Sequence, residues 1–311
     1  MGYDVTIFGI HFFLKPVAFT LPFGKNGWDI YWYGIIIAIG FLLALIYATK
    51  NCERFCVNSD RMLDVVLVTT PVAILCARTY YVIFDGEKLG GIKDFFGFSE
   101  SSGFAGLAIY GGVIGAFLCG ALMCRLRKVK MLDMFDMASV CFLIGQGIGR
   151  WGNFVNQEAY GSFTGSDFWG MQSTRTIAEV GEGLVHPCFL YESIWCIAGF
   201  FVLNYLSKKR KFSGQIILSY CAWYGFGRFF IELLRTDSLF IGNIKVSCLV
   251  SAFAFLASIS LLVYNLRKYK ENVNNDVYED IFDEMENDTE EMTEEENGVD
   301  FEGEEENEFD N

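Results

Sequence analysis

Seven stretches of this chain stay apolar long enough, or nearly so, to cross a lipid bilayer as helices, which takes about 20 residues each. They cover residues 29–49, 62–85, 103–123, 132–149, 189–207, 213–234 and 244–266. The charged residues between them alternate in character. Lys50, Arg54 and Arg61 follow the first stretch, and Arg125, Arg127, Lys128 and Lys130 follow the third. Lys208, Lys209, Arg210 and Lys211 follow the fifth, and Arg267, Lys268 and Lys270 follow the seventh. Because Lys and Arg accumulate on the cytoplasmic side, these four loops are expected in the cytoplasm. The N-terminus and residues 86–102, 150–188 and 235–243 are then expected outside. The pattern predicts an all-α integral membrane protein: a bundle of seven transmembrane helices within residues 29–268. An extracytoplasmic arm (1–28) precedes it, and a small extracytoplasmic cap lies at about 150–188.

Composition alters this picture at one end only. The formal net charge is −14, but 20 of the 38 acidic residues lie in residues 271–311, which contain no Lys or Arg. The rest of the chain carries 24 basic residues against 18 acidic ones. A tail so charged and so poor in large apolar side chains cannot bury a core, so residues 269–311 are expected to be an acidic, disordered cytoplasmic tail. Six of the ten cysteines (Cys76, Cys119, Cys141, Cys196, Cys221 and Cys248) fall inside apolar runs, where cysteine acts as a small hydrophobe. Cys52 and Cys56 have no second Cys or His pair near them. The expectation is therefore no disulfide framework, no metal and no cofactor, and nothing in the charge pattern points to nucleic acid.

Polar residues inside apolar stretches are costly unless they pair or bind something. One run stands out: Gly145-Gln-Gly-Ile-Gly-Arg150-Trp-Gly-Asn153-Phe-Val-Asn156-Gln-Glu158-Ala-Tyr-Gly161. It begins in the fourth stretch and leaves it carrying amides and charges. Arg78, Tyr110 and Arg228 each sit about seven residues from the expected outer end of their stretches, roughly 10 Å deep at 1.5 Å per residue. Tyr33 lies near the outer end of the first. Tyr224, Arg228, Glu232 and Arg235 recur at helical spacing, so they are expected on one face with Glu232 pairing either arginine. A single arginine at this depth commonly snorkels to the headgroups. Arg78, Arg150 and Arg228 together suggest a site for an anion such as a lipid phosphodiester, which the planar guanidinium fork suits. His186, before a proline at the start of the fifth stretch, reads equally as a base and as a structural hydrogen-bonding group.

These residues carry a resemblance. The run from Gly149 to Gly161 resembles the signature of the bacterial phosphatidylglycerol–prolipoprotein diacylglyceryl transferase family. Trp32-Tyr33-Gly34, Ala77-Arg78 through Phe84, Tyr110-Gly111-Gly112, His186-Pro187 through Glu192, and Arg228-Phe229 through Arg235 follow in family order. The likeness spans about residues 20–268 and implies an enzyme of the bacterial cytoplasmic membrane with its site facing the outer leaflet; a monomer is adequate, because the site is built within one bundle. Its partners would be phosphatidylglycerol and prolipoprotein signal peptides bearing a lipobox cysteine. By resemblance, Arg150 holds the lipid headgroup, and Asn153, Asn156, Glu158 and Gly161 shape that site. Tyr33, Arg78, His186, Tyr224, Glu232 and Arg235 line it, and Arg150, Arg228 and Tyr110 are catalytic. Many members have histidine where this chain has Tyr110, and a phenol with an ordinary pKa near 10 is a poor base at neutral pH. Two other classes use the same arginines: a lipid transporter, which moves lipid without cleaving it, and a non-catalytic lipid-binding scaffold.

Overall fold

The structure is a computed structural model that describes residues 2–22, 28–84, 95, 108–236, 240–241 and 244–297. The expected outer loop 86–102 (Phe95 apart), the start of the third stretch and residues 298–311 lie outside them. Two units are distinguished, Met1–Leu262 and Val263–Asn311.

Among the described residues, long helices lie in the apolar stretches: α1 (Trp32–Asn51), α2 (Ser59–Phe84), α3 (Ile109–Leu126), α4 (Met131–Asn156), α6 (Cys188–Ser207), α7 (Gln215–Leu234) and α8 (Val246–Asn297). A short helix, α5 (Thr174–Val180), lies between α4 and α6. Five of the long helices are long and apolar enough to cross a membrane, and α3 is a shorter apolar helix. Their packing is that of a protein dissolved in lipid. Ile37, Ile39, Phe41, Leu42 and Leu43 of α1, and Leu249, Val250, Phe253 and Leu256 of α8, are all exposed. Such continuous apolar surface is not tolerated in water. The helices also satisfy their own backbone hydrogen bonds, as a hydrocarbon solvent requires. The chain is a multi-pass membrane protein.

Not all of it is helical, which corrects the all-α expectation. The amino-terminal arm is strand: β1 (Tyr3–Ile7), β2 (Ile10–Leu14), β3 (Val17–Leu21) and β4 (Trp28–Tyr31). β1 and β2 form a hairpin whose turn residues Phe8 and Gly9 both have positive φ, the backbone that two-residue hairpin turns require. β5 (Met171–Ser173) joins the other edge of β1. The cap is thus built from the amino-terminal arm and the middle of the chain, around Val5, Phe154, Tyr160, Met171, Val185 and Phe189. Two further short strands, β6 (Phe240–Ile241) and β7 (Ile244–Lys245), pair between α7 and α8.

Two helix ends also depart from expectation. α4 does not stop at residue 149 but continues through the signature to Asn156, ending at Gln157 in left-handed backbone. Gly149 and Gly152 serve close packing rather than chain breaking: a Cβ on the first would lie 3.0 Å from Ile37, and on the second 2.7 Å from the Tyr33 ring. α8 runs on to Asn297, where composition predicts disorder. Glutamate and methionine are good helix formers, and extending an existing helix needs no new nucleus.

At the end of the bundle opposite the cap, Asp136 is fully buried on α4 and accepts from the backbone N–H groups of Gly214, Ile216 and Ile217 at 2.8–2.9 Å. It thereby caps the start of α7 from another helix, satisfying donors that a helix N-terminus leaves open. Arg210 donates to Asp136 at 3.1 Å and to Asp133 at 2.8 Å. Burial works against its charge, but these two carboxylates outweigh that and raise its pKa above the usual arginine value.

Candidate functional site

Near the cap, three helices converge on a carboxylate that sequence reasoning did not single out. Glu192 lies one turn into α6 with its side chain 3% exposed. Its Oε1 receives Nη2 of Arg150 from α4 at 2.5 Å and the hydroxyl of Tyr224 from α7 at 2.8 Å. Its Oε2 receives Nη1 of Arg228 from α7 at 2.9 Å. Arg228 reaches onward through Nη2 to Glu232, one turn along α7, at 2.5 Å. That Glu232 oxygen lacks a well-aligned hydrogen bond, but at this distance the pair is an ion pair.

The shared helical face expected for α7 is therefore real for Tyr224, Arg228 and Glu232. Arg235 is different. The helix ends at Leu234, and Arg235 has extended backbone that forms a bridge with Gly161. Its carbonyl, with those of Glu232 and Leu233, accepts from Nζ of Lys245 at 2.6–3.3 Å. Lys245 thus closes the carbonyl end of α7, where a cation is favoured; a lone lysine in a short loop gave little sign of this.

Arg150 and Arg228 face the carboxylates of Glu192 and Glu232, and Arg235 adds a further positive charge acting on Glu192. A guanidinium has five N–H donors; Arg150 meets Glu192, Asn153 and Tyr224, and Arg228 donates to Glu192 and forms an ion pair with Glu232. The two side chains are 20% and 17% exposed. Glu192 joins the two guanidiniums through its two oxygens.

The signature residues continue from Arg150 along the last turn of α4. Nη1 of Arg150 donates to Asn153 Oδ1 at 3.3 Å, and Asn153 Nδ2 donates to Glu158 Oε1 at 2.9 Å. Asn156 Nδ2 approaches the same oxygen at 3.5 Å. Gly161 is enclosed: a Cβ there would lie 2.8 Å from Cys188 Sγ and 2.9 Å from both His186 Cβ and the Leu234 carbonyl. Only glycine allows this crossing of the signature, the start of α6 and the end of α7. Arg175 of α5, not singled out from sequence, donates to the Asn156 carbonyl at 2.9 Å and to Glu179 at 2.8 Å. Its hydrogen bond to Glu179 raises its pKa.

The remaining expected site residues are placed differently. The Tyr33 ring covers Gly152, one turn or less from Arg150 and Asn153. His186 Nδ1 lies 3.2 Å from the Tyr191 hydroxyl, which also accepts from Trp169. Its backbone pairs with Gly161 and Ser162, so its described contacts are those of the structural alternative. Arg78 is buried on α2, donating to the Phe95 carbonyl at 3.0 Å with the Tyr81 ring 5.6 Å away. Tyr110 is exposed in the first turn of α3. No described contact joins Arg78 or Tyr110 to Glu192. The Gly111–Gly115 stretch is a helix contact, with a Cβ on Gly115 placed 2.6 Å from Cys76 of α2.

The chain is similar to known proteins over most of its length. Residues 16–264 match the family model described as prolipoprotein diacylglyceryl transferase. The chain is 38% identical over 267 residues to the phosphatidylglycerol–prolipoprotein diacylglyceryl transferase of Clostridioides difficile (strain 630), covering 85% of this chain and 100% of that one. It is 38% identical over 264 residues to the enzyme of the same name from Clostridium novyi (strain NT), covering 84% and 98%. For that of Pediococcus pentosaceus the identity is 39% over 269 residues, covering 84% and 93%. With the family model matched over residues 16–264 and this similarity to full-length relatives, the chain belongs to the prolipoprotein diacylglyceryl transferase family.

Proposed function

We propose that this protein transfers the diacylglyceryl group of phosphatidylglycerol to the lipobox cysteine thiol of a prolipoprotein, the first step of bacterial lipoprotein maturation. The observation that carries the proposal is the pair of guanidiniums, Arg150 and Arg228, held by one buried carboxylate. In this reading seven helices cross the cytoplasmic membrane, the N-terminus and cap lie outside, and the C-terminus lies in the cytoplasm. Phosphatidylglycerol enters from the outer leaflet, and a single chain suffices because α4, α6 and α7 of one bundle supply the cluster.

The phosphodiester binds Arg150 and Arg228. Asn153, Asn156 and Glu158 supply amide and carboxylate groups for the distal glycerol hydroxyls. The substrate thiolate attacks C3 of the diacylglyceryl moiety; the sulfur–carbon bond forms as the carbon–oxygen bond to phosphate breaks, and glycerol phosphate leaves. Fixed cationic donors stabilise the charge that grows on that leaving group. They act strongly because Glu192 and Tyr224 orient them before the lipid arrives. Tyr110 stands at the start of α3 as a substrate-facing hydroxyl, and Tyr33 and Arg78 lie along the approach of the lipid.

The test is incubation of the detergent-solubilised protein with phosphatidylglycerol and a lipobox peptide, followed by mass spectrometry. A diacylglyceryl mass increase on the cysteine, absent with Arg150→Ala and with Arg228→Ala, is expected. Lipid binding without any mass increase would replace the transferase with a scaffold or transporter.

A further inference from the structure

The cap helix α5 is better anchored than its seven residues suggest. Ser173 and Thr176 form a reciprocal capping box at its start, with bonds of 3.1 and 2.8 Å. The preceding strand β5 pairs with β1, and the Thr174 hydroxyl accepts from the Asp4 backbone at 3.1 Å. Thr176 is fully buried. α5 is thus fixed to the cap sheet independently of the membrane helices.

From this platform two side chains on one helical face reach the signature. Arg175 donates through Nη1 to the Asn156 carbonyl at 2.9 Å and through Nε to Glu179 Oε1 at 2.8 Å. The other Glu179 oxygen accepts the Tyr160 hydroxyl. Asn156 and Tyr160 flank Glu158, the acceptor of Asn153, which in turn receives Arg150. The Asn156 carbonyl belongs to the last turn of α4, whose carbonyls have no partner within the helix and attract cations. Gln157, the link between Asn156 and Glu158, has left-handed backbone, so the direction of Glu158 follows how the end of α4 is held.

We infer that Arg175 and Glu179 are positioning residues: a clip by which the cap sets Asn153, Asn156 and Glu158 for the lipid headgroup. This inference rests on the transferase reading above. It assigns the cap a role in headgroup affinity, through a helix that does not itself meet the reacting atoms.

The experiment uses full-length protein in detergent, phosphatidylglycerol and a lipobox peptide. With Arg175→Met the KM for phosphatidylglycerol is expected to rise about tenfold, on the scale of a lost charge-assisted hydrogen bond, while kcat changes less than about threefold. Arg175→Lys, which can still donate to the Asn156 carbonyl, restores most of the affinity. Hydrogen exchange across residues 153–161 should quicken in Arg175→Met and not in Arg175→Lys. A parental KM in Arg175→Met overturns the clip, as does a defect that tracks lowered thermal stability and is not rescued by lysine. Should Arg175→Met fail to fold, Glu179→Gln decides by the same KM and exchange readouts. If the unsubstituted protein transfers nothing, the transferase reading fails instead, and the exchange comparison alone judges the clip.

Discussion

Trp195 and Trp223 each donate the indole N–H to the other's main-chain carbonyl, at 3.0 and 3.1 Å, with their rings stacked 4.4 Å apart. Each ring lies over a glycine of the facing helix, Trp195 over Gly227 and Trp223 over Gly199. Both glycines stand four residues after the tryptophan of their own helix, so α6 and α7 meet through one motif used twice in local two-fold fashion. The clasp lies within a turn or so of Glu192 on α6 and of Tyr224 and Arg228 on α7, and it fixes the register in which they meet. A methyl group on either glycine runs into the opposing indole. Gly227→Ala is therefore expected to cost about 1–3 kcal/mol by overpacking. Trp195→Phe and Trp223→Phe should cost about 1 kcal/mol each and less than twice that together. Unfolding in detergent of the two single variants and the double variant checks this, and strict additivity would show that the two bonds are independent.

Glu192 makes a sharper prediction. It is buried and answers two guanidiniums and a phenol at once. Removing one partner of a buried ion pair typically costs about 3–5 kcal/mol, because the other charge stays buried and uncompensated. Glu192→Ala should reduce both folded yield and transfer. Glu192→Gln keeps the shape and one acceptor oxygen, so it should fold better yet lose transfer by about a hundredfold or more as the forks lose orientation. Transfer per mole of folded protein, measured by peptide mass spectrometry, separates the two effects. Parental turnover in Glu192→Gln would show that Arg150 and Arg228 orient without it.

What the sequence made legible followed from which contacts are local. Tyr224, Arg228 and Glu232 share a helix, so their spacing alone put them on one face. The seven apolar stretches were plain because lipid demands long runs. Glu192 escaped notice as a site residue because its partners come from α4 and α7, and a lone acid near a helix start looks like many others. The end of α4 was set too early because glycine, arginine and asparagine break the apolar pattern, although Gly152 is there to admit Tyr33. The end of the sixth stretch at residue 234 matches the end of α7, but Arg235, one residue beyond it, was still counted on the helical face because its spacing from Arg228 and Glu232 is helical. The strands of the arm are only four or five residues long, too short for alternation to stand out.

The Asp136 contact predicts the opposite kind of effect from Glu192. Asp136 accepts three backbone N–H groups and Arg210 at the end of the bundle away from the cap. Asp136→Ala leaves those donors and the guanidinium unanswered, at a cost of several kcal/mol on the scale of other buried charge networks. It touches none of the groups around Glu192. The expected result is a marked fall in thermal stability in detergent with an unchanged KM for phosphatidylglycerol in the fraction that remains folded. A changed KM at full stability would show that the two ends of α4 are coupled.

Tyr110 carries the last prediction. It stands exposed in the first turn of α3, and the family resemblance puts histidine at this position in many members. If the site needs a proton acceptor here, histidine, with an ordinary pKa near 6.5, serves at neutral pH far better than a phenol. If it needs only a hydrogen-bond donor to the lipid or the peptide, a hydroxyl suffices. The thiol can then lose its proton elsewhere, aided by the positive field that favours a thiolate. With the donor role, Tyr110→Phe is expected to lower kcat/KM by about tenfold, the scale of one hydrogen bond. Tyr110→His should keep activity within about threefold, with no new dependence on pH between about 6 and 8. A rate that in Tyr110→His rises with pH through the histidine range, above the parental rate, would instead identify this position as the base.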